Sequence, residues 1–305
     1  MRSRIVLANF GWWCLIAYST IGFAQDFPKQ FPDALQQMFE QFAKESNRFM
    51  PGFMGEIPAE ELARLERINV SVAEENRFGQ QVLDGYLEQL RKQNKEVVQR
   101  GRDVEYLVKL ANTLKPLMNH AKRYRQLDIR VVQTQATDAY SIPGGHLIFT
   151  SGLLADVQSE AALVGVIAHE LAHLDRGHQL IALKQSKSGK QTLDFRNGML
   201  AIAIMARPAR PEYEKEADAD AVRWMIQAGY AARELAHLLA HWDQRQDQQT
   251  PWMNMMPPFI RSHPDPGRRA QAIVEQAGRI TKNGGYIGRK NLDQRIPRAE
   301  QEFTE

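Results

Sequence analysis

The run from Ala161 to Leu174, AALVGVIAHELAHL, is apolar on nearly every side except at His169, Glu170 and His173. A helix that is apolar all round is a buried helix. Burying three titratable groups without partners is costly, so this segment constrains the fold more than any other. Residues four apart lie on the same helical face, so His169 and His173 point the same way and can share one metal ion. Glu170 is turned about 100° from that face and cannot easily be a third ligand. It can reach a water held by the metal. Two histidine ligands and one glutamate base are the division of labour of a zinc hydrolase.

Such a site needs a third protein ligand. The segment PEYEKEADADAVRWMI offers Glu214 with Asp218 and Glu216 with Asp220, each pair at helical spacing. Glu214 shares its face with Asp218, Ala221, Val222 and Met225, which reads as the buried side. Glu216 shares its face with Asp220, Arg223 and Gln227, which reads as solvated. Glu214 is therefore the expected ligand. Asp218, one turn on, is placed to orient a metal-bound histidine through its other ring nitrogen. His237 and His241 also lie four apart but have no adjacent acid, and read as ordinary core or surface residues. His178 lies one position too far along for the metal-binding face. His263, in the loop SHPDPGRRA, is open to two readings. One is functional, swinging to the fourth position or stabilising charge there; the other is an ordinary loop residue.

The chain has 305 residues, 43% hydrophobic and 25% charged, with a net charge of +3. That balance does not suggest a nucleic-acid binder. Residues 1–24 read as a secretory signal: a basic start, an apolar stretch, and small residues at Gly22 and Ala24. The alternative is an uncleaved anchor. Cys14 is the only cysteine and leaves with a cleaved signal, so no disulfide is expected. Residues 25–70 read as a helical extension, with Phe31, Leu35, Met38, Phe39 and Phe42 on one stripe. That stripe is expected to pack on the main domain, the alternative being a helix on a membrane surface or a partner.

The remaining segments read as mainly helical with a little sheet. Helices are expected from about Ala59 to Arg125, and LDIRVVQTQ alternates as a strand. AYSIPGGHLIFTSGLL reads as a turn and a second strand, with Gly144-Gly145 allowing a close backbone approach. Ser159 is a plausible N-cap for the helix of the opening motif. LKQSKSGKQTLDFRNG reads as a loop, and MLAIAIMA is too short to cross a membrane. Helices follow over Pro211–Ala228, Ala231–Gln246 and Arg268–Gly278, with a proline- and methionine-rich loop before the last. The polar tail after Lys282 reads as loose.

With these residues in hand, the chain resembles the zinc metallopeptidase family that includes HtpX and the CAAX prenyl proteases. It is most similar to the soluble, exported bacterial branch related to BepA and LoiP. The runs DAYSIPGGHLIFTSGLL, HELAH, EKEAD and SHPDPGRR carry the resemblance in order and spacing. It implies an α+β, mainly helical fold: a zincin-like metallopeptidase domain with a small β-sheet and an active-site helix carrying HExxH. It assigns zinc, one ion per chain, to His169, His173 and Glu214, with Glu170 as base. Asp218 and Arg269 become supporting residues, and His263 gates the zinc in some relatives. The strand around Pro143, Gly144, Gly145 and His146 resembles an edge that pairs with substrate backbone. Two departures touch the cleft: Asp138 stands where the family usually has Asn, and Arg210-Pro211 where it often has Ser-Arg.

The expected organisation is a signal over 1–24, an extension over 25–70, a zinc metallopeptidase domain over 71–280 and a polar tail over 281–305. The expected function is a zinc endopeptidase of the periplasm or cell envelope, acting in protein quality control on unfolded or misassembled proteins. The alternative is a chaperone-like or adaptor protein with a latched, rarely active zinc site.

Overall fold

The computed structural model of the chain describes residues 57–189, 210–247, 263, 265–281 and 284–304. The expected signal, the amphipathic stripe over 31–42, the apolar run over 199–206 and most of the methionine-rich loop lie outside the described residues. Among the described residues, no helix is long and apolar enough to cross a membrane.

Two helices, α1 (Ala59–Glu66) and α2 (Val72–Lys92), lead into the domain. Ser71 starts α2 with a reciprocal cap. Its hydroxyl accepts from the Glu74 amide at 3.2 Å, and the Glu74 carboxylate accepts from the Ser71 amide at 2.8 Å. A two-residue strand β1 (Val97–Val98) and helix α3 (Arg102–Leu114) follow, so the region expected to be all helix contains one sheet edge. The sheet is completed by β2 (Asp128–Val132), β3 (Ala139–Ile142) and β4 (His146–Thr150), in the order β1-β2-β4-β3. β2 and β4 run parallel, with Asp128 opposite His146 and Val132 opposite Thr150. β3 returns antiparallel to β4 and is an edge strand among the described residues. The segment expected to be a turn and one strand is thus a hairpin, because Ala139–Ile142 also finds a ladder. The left-handed Gly144 and Gly145, φ 88° and 90°, make its turn.

The short α4 (Ser151–Asp156) precedes the central helix α5 (Glu160–Arg176). Ser159 caps α5, its hydroxyl accepting from the Ala162 amide at 3.1 Å. Gly177 ends it in the left-handed conformation, φ 68°. Every residue from Glu160 through Asp175 is buried, as an apolar sequence on all sides requires. The covering elements are β3 on one side, α3 on another, and α7 (Pro211–Gln227) and α8 (Arg233–Asp247) on the rest. The approach of α8 is close: a Cβ at Gly165 would lie 2.8 Å from Leu235 Cβ. α6 (Ile181–Lys187) occupies part of a segment read as loop, because Ile181 and Ala182 are buried. The helix α9 (Pro266–Ile280) packs against α7 and α8.

The C-terminal segment is docked, against the expectation of a loose tail. Tyr286 bridges to Tyr230, and α10 (Arg289–Gln294) follows. The carbonyls of Ile287 and Gly288 accept the Ala161 and Glu160 amides at 2.9 and 3.1 Å, satisfying the free donors at the start of α5. The Glu160 carboxylate is buried and accepts from Tyr106 Oη at 2.6 Å, Tyr230 Oη at 2.8 Å and the Arg298 amide at 2.9 Å. Polar composition misleads here because these polar groups are paired with one another.

Candidate metal centre

Helix α5 presents His169 and His173 one turn apart, with their Nε2 atoms 3.0 Å from each other. α7 lies against α5 and delivers Glu214, whose carboxylate oxygens are 3.1 Å from His173 Nε2 and 3.5 Å from His169 Nε2. His263 enters from the segment before α9. Its Nδ1 is 3.0 Å from Glu214 Oε1 and 3.2 Å from His169 Nε2. All four side chains are buried, and their ligand atoms lie within 4.8 Å of one another.

The outer ring nitrogens set the chemistry of the inner ones. His169 Nδ1 is 3.0 Å from Asp218 Oδ1, and His173 Nδ1 is 2.9 Å from His178 Nδ1. A proton on each Nδ1 leaves each Nε2 with a lone pair facing the other and the Glu214 carboxylate. Such a convergence of electron pairs requires a cation at its centre. Without a metal the cation is a proton. Burial would lower His169, but Glu214 and Asp218 outweigh it and raise the imidazole to about 9. Burial and the His169 charge hold His173 down, and burial also lowers His263 against the pull of Glu214. The donor set, two imidazole nitrogens, a carboxylate and a further imidazole, suits a divalent transition ion.

Arg269 of α9 braces the acids. Its guanidinium donates to Asp218 at 2.8 and 2.7 Å and pairs with Glu214 Oε2 at 2.7 Å. Burial alone would raise both carboxyls. The charges of His263, Arg269 and His169 hold Glu214 well below its ordinary range, and Arg269 with His169 brings Asp218 to about 2.

Glu170 is turned from the histidine face toward β3. Its Oε2 accepts from Ser141 Oγ at 2.7 Å, and Gln179 Nε2 donates to the same hydroxyl at 2.6 Å. Its Oε1 is buried, has no hydrogen-bond partner among the described residues, and lies 3.4 Å from His263 Nε2. Burial pushes this carboxyl up, only partly offset by His169 and His173. One oxygen is therefore anchored and the other is available beside the cluster, as a proton acceptor requires.

The sequence-expected residues divide into those brought together and those held apart. His169, Glu170, His173, Glu214, Asp218, His263 and Arg269 form one contiguous group. Pro143, Gly144, Gly145 and His146 form the β3–β4 turn and pack away from it. A Cβ on Gly144 would meet Asn76 of α2, and one on Gly145 would meet Tyr124. His146 Nδ1 pairs with Asp128 at 2.8 Å. The hairpin residue that reaches the group is Ser141. Asp220, read as solvated, is fully buried because Arg176 of α5 pairs with it at 2.7 Å. His237 is exposed and contacts Glu234 at 3.1 Å. Of the departures, Asp138 is buried with its amide donating to Thr150 Oγ1, and Arg210 donates to the Ile57 carbonyl.

Sequence reasoning missed Ser141, His178 and Gln179. A glycine directly after the last helical residue was the available sign for the latter two, since a left-handed cap redirects whatever follows.

Comparison with known proteins agrees with this chemistry. The family described as Peptidase family M48 matches residues 106–277. The chain is 25% identical over 214 residues to a protein of Vibrio cholerae serotype O1 described as a beta-barrel assembly-enhancing protease. That match covers 64% of this chain and 43% of the relative, so the chain spans less than half the length of that protein.

Proposed function

Since the chain belongs to peptidase family M48 and is thus a metallopeptidase, we propose that it is a zinc endopeptidase of the cell envelope. Its substrates in this reading are unfolded or misassembled envelope proteins. The observation that carries it is the convergence of His169, His173, Glu214 and His263 beside the half-anchored Glu170. In this reading His169, His173 and Glu214 hold the ion. The zinc supplies Lewis acidity toward the scissile carbonyl and lowers the pKa of water at the site. Glu170 takes the water's proton at Oε1 and hands it to the leaving amine. Its upward shift suits both tasks near neutral pH. Asp218 fixes the tautomer of His169, and Arg269 offsets the charge of the two buried acids. The backbone of edge strand β3, which runs beside α5, suits an extended peptide adding as a further strand. The turn Pro143–His146 then shapes the hairpin from behind and does not itself meet substrate.

The envelope setting rests on the name of the Vibrio relative and on the signal-like residues 1–24. The domain proposed over 71–280 contains the family match, with 25–70 preceding it and 281–305 following, of which Ile287, Gly288 and Arg298 brace the start of α5. The 31–42 stripe is proposed to pack on the main domain, with a membrane surface as the alternative.

A second reading is favoured by one contact. His263 lies within hydrogen-bond distance of Glu214 and beside His169, where a substrate carbonyl would approach. In this reading the site is latched and the protein acts mainly as a chaperone or adaptor. The test is cleavage of fluorescein-labelled casein by the zinc-loaded chain, by Glu170→Gln and by His263→Ala. Cleavage by wild type and none by Glu170→Gln supports the endopeptidase. Equal cleavage by both removes Glu170 as base. A gain with His263→Ala supports the latch, a loss assigns His263 to the developing charge, and no change removes it from the mechanism.

A further inference from the structure

The three residues after Gly177 make a single 3-10 turn, His178–Leu180. Gly177 reverses the chain at φ 68°, and the Leu180 amide closes the turn on the Gly177 carbonyl at 3.0 Å. Leu180 is buried in the cluster that contains Phe78, Ile142 and Ile148, which fixes the turn under the sheet. The two polar residues are thereby aimed back at the metal centre.

His178 goes to the second histidine. Its side chain is 6% exposed, and its ring is stacked on Tyr213 with centroids 4.1 Å apart and planes 6° from parallel. With Nε2 facing Glu216 Oε2 at 3.4 Å, its Nδ1 is left as an acceptor 2.9 Å from His173 Nδ1. The two ligand histidines thus have different supports: a carboxylate, Asp218, behind His169, and a neutral imidazole behind His173. Gln179 goes to the base. Its Nε2 can only donate, so the Ser141 hydroxyl it meets at 2.6 Å keeps its own proton for Glu170 Oε2 at 2.7 Å.

We propose that the His178–Leu180 turn is the positioning element of the centre. His178 fixes the tautomer and ring angle of His173, and Gln179, through Ser141, fixes the rotamer of Glu170. This rests on the metallopeptidase reading above and deepens it. One turn then couples the two functions of the site, ion holding and proton transfer, through two adjacent residues that can be separated by substitution.

The experiment measures two quantities on the full chain: zinc affinity, by competition with a chromophoric chelator, and kcat and KM on fluorescein-labelled casein. His178→Ala leaves the His173 N–H without an acceptor and should weaken zinc about 10- to 100-fold. His178→Asn, whose Oδ1 stands close to the lost Nδ1, should restore most of that affinity. Gln179→Glu keeps the shape but turns the Ser141 proton away from Glu170. It should lower kcat about tenfold with KM and zinc affinity unchanged. Equal zinc loss in His178→Ala and His178→Asn would reduce His178 to packing and overturn the proposal. So would wild-type zinc affinity in His178→Ala, or wild-type kcat in Gln179→Glu. If His178→Ala does not fold, His178→Leu, which fills the space without an acceptor, takes its place. A wild-type chain that binds no zinc defeats the functional reading itself. A wild-type chain that binds and cuts beside unaltered variants defeats only the role of the turn.

Discussion

Zinc binding to this chain should be a competition with one proton, and the structure says which. Without metal, the converging Nε2 atoms of His169 and His173 need a cation, and His169 carries it, with its imidazole raised from 6.5 to about 9. His173 and His263 are shifted the other way, chiefly by burial. Each pH step below 9 should therefore cost zinc about tenfold in apparent affinity, and at pH 7 affinity should stand about 100-fold below its plateau. The same proton stabilises the metal-free fold. A rise from 6.5 to about 9 on a fully buried group is worth about 3 kcal/mol. That contribution is complete below the unfolded-chain value of 6.5 and disappears as the pH rises through about 9. The metal-free chain should weaken toward alkaline pH while zinc binding strengthens. Isothermal titration calorimetry at pH 7.5, in buffers of different ionisation enthalpy, counts the protons directly. About one should be released per zinc. Asp218→Asn, which removes the carboxylate on His169 Nδ1, should move the affinity plateau to lower pH. Release of no proton, with affinity flat from pH 6.5 to 9, would refute the converging-lone-pair argument.

Two further substitutions probe the frame around the centre. A Cβ at Gly79 of α2 would lie 1.7 Å from the Pro143 carbonyl oxygen, so Gly79→Ala should destabilise the fold by about 2 kcal/mol in urea unfolding; an unchanged midpoint would contradict the packing of α2 on the hairpin turn. Glu160→Ala strands two buried phenol hydroxyls and removes the acceptor of the Arg298 amide, for a loss of roughly 3 kcal/mol. Adding Tyr106→Phe and Tyr230→Phe should recover part of it, because the orphaned donors are then gone; no recovery would mean the loss comes from elsewhere.

The centre was more legible in the sequence than its supports, for a physical reason. Burial along α5 is written residue by residue, and a helix start needs only Ser159 and an apolar run. The choice of Glu214 over Glu216 followed from helical faces, and α7 does turn Glu214 and Asp218 inward. The same face argument failed at Asp220, because a buried acid can be covered by a cation from another helix, here Arg176. It failed at His178 because it assumes the helix continues, whereas Gly177 ends it and sends the chain back. Ser141 was invisible because a strand residue shows which face it takes only when its neighbours are known. The docked tail was misread because composition cannot reveal that Tyr286 meets Tyr230 and that Ile287 and Gly288 meet the start of α5.

The central claim is that one zinc ion lies between His169, His173 and Glu214. Anomalous diffraction collected above and below the zinc edge, from crystals of the zinc-loaded chain, tests it most directly. One anomalous peak per chain is expected, about 2.0–2.2 Å from His169 Nε2, His173 Nε2 and a Glu214 oxygen, with Glu170 outside bonding distance. A zinc peak elsewhere, or none at this cluster in a fully loaded crystal, would contradict it.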